Sequence, residues 1–96
     1  MSRQTRPQVC IATVIGKDRV GIIARLAVTF ARANVNILDV DQRVMEDTFV
    51  MTMAVDVSGA NVPLTTLKKR LDKVAKALDL QITLHDERIF EAMHRV

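Results

Sequence analysis

The chain has 96 residues, 49% of them apolar and 26% charged, with a net charge of +3 when histidine is neutral. That length excludes a multidomain chain and leaves little room for a deep enzyme cleft, while the apolar content excludes a disordered one. Three phenylalanines are the only aromatic residues, so the core is aliphatic and base-stacking platforms or aromatic cages are poorly supplied.

The opening segment, residues 1–8, reads as a flexible polar tail. It is basic, and no apolar signal core follows it. No apolar run approaches membrane-spanning length, so a cytoplasmic protein without a membrane partner is expected. Cys10 is the only cysteine; it cannot form an internal disulfide, and inside an apolar run it reads as a small buried hydrophobe.

Val9–Ile15 predicts a central strand, apolar on both faces. Gly16-Lys17-Asp18-Arg19-Val20-Gly21 then predicts a turn into a helix over about Arg19–Ala33. Gly16 is expected to take a backbone shape closed to other residues, and Gly21 to allow close approach. Asp18 is expected to cap the first helical turn. Val20, Ile22, Ile23, Leu26, Ala27, Phe30, Ala31 and Ala33 form an apolar arc, with Arg25, Thr29 and Arg32 opposite. Asn34 suits a left-handed residue at the helix end.

A second strand is expected over Val35–Met45, with Val35, Ile37 and Asp39 on one side. Its half-polar far end suggests a sheet edge. Glu46-Asp47 predicts a hairpin turn. Thr48–Val57 alternates strongly as a third strand, its methionines on an apolar face.

Pro63 suits the start of a second helix reaching about Asp79, with Leu64, Leu67, Leu71, Val74 and Leu78 as its apolar stripe. Its lysines and Arg70 read as a solvated face, and direct nucleic-acid binding is not expected. Leu80–His85 predicts a fourth strand. Ile89, Phe90, Met93 and Val96 then fall at helical spacing.

The order βαββαβ predicts an α+β, ferredoxin-like domain: a four-stranded antiparallel sheet with two helices on one face and a short C-terminal helix. We assign residues 9–87 to the domain and 88–96 to the helical extension. The uncovered sheet face invites a partner subunit.

No metal-ligand cluster or Walker loop is visible, so neither a metal nor a cofactor is expected. Asp39 and Asp41 share a strand face, which fits either a cation site or a polar strand end. An acylphosphatase-like enzyme would share the topology; Arg19 and Asn36 are its nominees for phosphate and water. The Gly16–Gly21 turn supports two readings: a packed structural turn, or an anion site made by free N–H groups at a helix start.

Gly16-Lys-Asp-Arg-Val-Gly-Ile-Ile-Ala-Arg-Leu-Ala27, followed by Ala33-Asn-Val-Asn-Ile-Leu-Asp39, resembles the ACT domain. With the ending Ile89-Phe-Glu-Ala-Met-His-Arg-Val96, the chain resembles more narrowly the small stand-alone ACT proteins of the UPF0237 group. These are related to the ACT modules of glycine-cleavage repressor and formyltetrahydrofolate deformylase. The resemblance implies a non-catalytic homodimer that binds an amino acid near the subunit interface and acts on a metabolic enzyme or regulator. It implies ligand contacts from Gly16, Lys17, Asp18, Arg19, Val20, Gly21, Ile22, Asn36 and Ile37, with backbone N–H groups around Val20–Ile22 taking a carboxylate. Many family members carry Pro where this chain has Val20, so the loop is less constrained here. An adaptor that binds protein without a small ligand is the alternative.

Overall fold

Every second residue of the first apolar run is small or branched, and that face becomes the floor of the core. The computed structural model describes residues 7–94. Its elements are β1 (Val9–Lys17), α1 (Ile22–Arg32), β2 (Asn36–Met45), β3 (Thr48–Asp56), α2 (Leu64–Leu78), β4 (Leu80–Asp86) and α3 (Glu87–Met93). The strands form one antiparallel sheet in the order β2-β3-β1-β4. This is the ferredoxin-like arrangement expected from the element order.

Cys10, Ala12 and Val14 of β1 lie opposite Val55, Met53 and Met51 of β3. All six are buried together with Ile22, Leu26 and Phe30 of α1 and Leu67, Leu71 and Val74 of α2. Small residues on β1 leave space above the central strand, and Phe30 and the flexible methionines fill it. The opposite face carries Ile11, Thr13 and Ile15 beside Ala54, Thr52 and Val50, all at least partly exposed.

The second strand departs from simple alternation. Ile37 faces Val55 but Asp39 faces Ala54, so a bulge at this point turns Asp39 to the sheet face opposite Ile37. Ile37 and Asp39 therefore do not share a side. Asp39 and Asp41 still do, opposite Ala54 and Thr52. β2 is an edge strand, as its polar end suggests.

Helix α1 ends in a Schellman motif. Val35 N–H donates to Phe30 O and Asn34 N–H to Ala31 O, while Asn34 takes φ 57°. The Asn34 side chain also donates to Gly59 O at 2.9 Å, tying the loop before α2 to the end of α1. Pro63 caps α2, and Asp79 at φ 55° turns the chain into β4. α3 starts one residue before the expected extension. Asp86 caps it by accepting from Arg88 N–H at 2.8 Å. Residues 1–6 of the expected tail, and Arg95 and Val96 of the expected ending, lie outside the described residues.

Candidate functional site

Gly16 and Lys17 belong to the strand, which runs two residues past the expected end. Gly16 sits between Phe49 of β3 and Leu80 of β4. A Cβ there would meet Leu80 Cδ2 at 2.6 Å and Asp79 O at 3.1 Å. Gly21 has open space around it but φ 92°. The roles expected for the two glycines are thus exchanged: Gly16 is required by close approach and Gly21 by its left-handed backbone.

The expected cap is also different. Gly21 itself occupies the N-cap position of α1, and no side chain, Asp18 included, bonds to the first turn. No acidic residue lies in that turn. A helix leaves its first N–H groups without intrahelical partners, and here no carboxylate of the helix competes for them. Gly21 O accepts from Arg25 N–H at 3.0 Å and so begins the helical ladder.

The backbone fixes the loop at its other side. Asp18 N–H donates to Asp47 O at 3.1 Å, fastening the loop to the β2–β3 hairpin. This contact is not legible in the sequence, because its two ends are distant in the chain and use only main-chain atoms. Lys17, Asp18, Arg19 and Val20 are all exposed, Val20 completely at 101%. Ile22 is buried at 2% and anchors the start of α1 in the core.

Asn36 and Ile37 are not beside this loop within one chain. Asn36 faces Asp56, which faces Val9, whereas Gly16 is level with Phe49 and Val44. Seven residues of β1 separate the two levels, about 23 Å at the rise of an extended strand. Asn36 is exposed; Ile37 is half-buried and packs against the core. Arg19 and Asn36 therefore cannot share one phosphate in a single chain, which removes the geometry that the acylphosphatase-like alternative needs.

Cys10 is buried at 2%, and burial followed by the charge of Asp86 pushes its thiol upward, away from the reactive thiolate. No group of three or more metal-ligating side chains occurs among the described residues. His94 stacks on Phe90 with ring centroids 4.2 Å apart.

The fold is that of a small regulatory module of the ACT type. The ACT domain profile matches residues 8–85, and the chain belongs to the ACT-domain family. Within that family it falls in the UPF0237 group. A UPF0237 protein of Methanocaldococcus jannaschii is 44% identical over 86 residues, spanning 90% of this chain and 96% of that protein. Another, from Clostridium acetobutylicum, is also 44% identical over 86 residues, covering 90% and 97%. Among solved structures, an ACT domain protein from Streptococcus pneumoniae superposes with a TM-score of 0.75 at 31% identity, covering 93% of this chain and all of that one (100%). A formyltetrahydrofolate deformylase from Pseudomonas syringae shares the fold, with a TM-score of 0.77 at 17% identity over 84% of this chain and 28% of its own. Members of the ACT family are regulatory, non-catalytic modules. No helix among the described residues is long and apolar enough to cross a membrane.

Proposed function

We propose that this protein is a homodimeric sensor that binds an amino acid at the β1–α1 loop and passes its state to a metabolic enzyme or regulator. The uncapped first turn of α1 behind Gly21 carries the reading. Backbone N–H groups there, aided by the helix dipole, suit a ligand carboxylate. Lys17 and Arg19 add positive charge to the loop, and Asp18 is available for an ammonium group.

The second copy completes the site. β2 is an edge with exposed Leu38, Val40, Val44 and Met45. Two β2 strands pairing antiparallel about a two-fold axis would carry the partner's Asn36 to the hairpin end, where the loop lies. A register centred on Gln42 sets Asp41 opposite the partner's Arg43 and Val40 opposite the partner's Val44. Both pairings are favourable across strands. Asn36 and Ile37 then join Gly16–Ile22 across the interface, although one chain holds them apart.

Isothermal titration and thermal shift with each common amino acid test the ligand, since a ligand that binds only the folded state raises its stability. Sedimentation across a concentration series tests the dimer. A monomer at high concentration that no amino acid stabilises refutes the proposal.

The adaptor reading rests on α3, where Ile89 and Met93 remain 55% and 54% exposed. It predicts that Ile89→Asp with Met93→Asp abolishes a partner complex while leaving amino-acid titrations unchanged. An unaltered complex rejects it.

A further inference from the structure

On the outer side of the two helices, away from the sheet, α1 and α2 enclose a groove of about 660 Å³. Arg25 and Arg32 stand on the α1 bank, with Val28 between them. Their seven-residue separation is two turns, about 10.5 Å of helix. Arg70 and Lys73 stand on the α2 bank, above the buried Val74. Four cations thus surround a floor that includes Val28, which is 48% exposed.

No acidic residue lines this groove, and none of its cations forms an ion pair among the described residues. Asp72, between Arg70 and Lys73 in sequence, lines instead the hollows that α2 forms with β4. Like charges gathered along one surface groove repel one another and raise its positive potential. The groove is therefore a concentration of unpaired positive charge that an anionic partner would neutralise.

The chemistry of the groove narrows its occupant. Both banks are helix flanks, whose backbone N–H groups are already bonded within the helices. No main-chain cradle is available for a small phosphate. A nucleic-acid backbone would meet the cations but would gain nothing from an apolar floor, and no aromatic residue lines the groove to stack a base. An amphipathic helix satisfies both features, with apolar side chains against Val28 and the alkyl stems of the arginines and carboxylates along each flank.

We infer that the α1–α2 groove is a docking site for an acidic amphipathic helix of a partner protein. The site is separate from the β1–α1 loop and does not depend on that loop's ligand. It gives a regulatory module a surface through which to reach its target.

The test uses the full chain and a labelled helical peptide with leucines on one face and glutamates on both flanks. A short DNA duplex is the competing probe. The peptide is expected to bind saturably and to weaken as salt is raised. Reversing one charge on each bank, Arg25→Glu with Arg70→Glu, is expected to weaken binding at least about tenfold. The milder Arg25→Gln with Arg70→Gln keeps the test valid should the reversal disturb folding, and is expected to weaken binding at least about threefold. Lys69→Glu with Lys76→Glu makes the same change in net charge on α2 outside the groove. It is expected to leave affinity within about twofold. Absence of saturable peptide binding, equal loss in the Lys69/Lys76 control, or tighter binding of the duplex than of the peptide would overturn the inference.

Discussion

Replacing Gly16 with alanine tests the packing on which the candidate loop stands. The new methyl carbon would lie 2.6 Å from Leu80 Cδ2, 3.1 Å from Asp79 O and 3.3 Å from Leu80 Cα. The leucine tip can rotate, but Leu80 is only 8% exposed, so the rotation disturbs the core. The carbonyl cannot easily retreat. Asp79 is held at φ 55° as the residue that ends α2, with the cap N–H bonded to Ala75 O. Overpacking of this kind costs about 1–3 kcal/mol. Removing a glycine from a strand offsets about 0.5–1 kcal/mol of that cost. The net loss is about 1 kcal/mol, which lowers the Tm of a domain this size by about 4–8 °C.

Urea unfolding followed by circular dichroism measures this loss. Pairing the substitution with Leu80→Ala removes the nearest contact, and the cost of Gly16→Ala is expected to fall by at least about half. Gly21→Ala supplies the contrast. A Cβ there meets nothing within 4 Å, so its cost of about 1 kcal/mol comes from the left-handed backbone and persists in the Leu80→Ala background. Unchanged or increased stability of Gly16→Ala refutes the assignment of Gly16 to close packing; a cost indifferent to Leu80→Ala assigns it to the Asp79 carbonyl and not to the leucine.

Two further predictions concern titration. The Cys10 thiol is held above its ordinary range by burial, so the native state keeps a proton that the unfolded chain releases. Its contribution is complete below the unfolded thiol pKa and is lost as pH rises through the folded one. Cys10→Ala should therefore flatten the alkaline side of the stability profile; an equally steep decline in the variant contradicts this. Asp86 is held low, chiefly by the backbone N–H of Arg88, and Asp56 by that of Ser58, helped by Gln8 N–H at 3.1 Å. Lowered carboxylates stabilise above their unfolded pKa, and that contribution disappears as pH falls through the folded one. Asp56→Asn with Asp86→Asn should weaken the dependence of unfolding on acid; a profile parallel to that of the parent chain would contradict this.

Periodicity alone carried much of the architecture. Alternation in Thr48–Val57 put Met51 and Met53 on one apolar face because strand side chains alternate whatever the neighbours, and the two helices then made that face the core. The leucine stripe of α2 and the left-handed Asn34 were equally legible, since helix period and backbone preference are local properties. The family motif marks the Gly16–Gly21 loop through local residues alone.

Tertiary structure decided what depends on distant residues. The exchange of roles between Gly16 and Gly21 follows from Leu80 and Asp79, which come from the other end of the chain. The bulge before Asp39 depends on pairing with β3, and the separation of Asn36 from the loop depends on strand direction across the sheet. The basic groove is invisible in either helix read singly, because Arg25 with Arg32 and Arg70 with Lys73 each form an ordinary polar helix face. Local pattern determines which face of an element is apolar; only the packing of elements determines which polar faces meet.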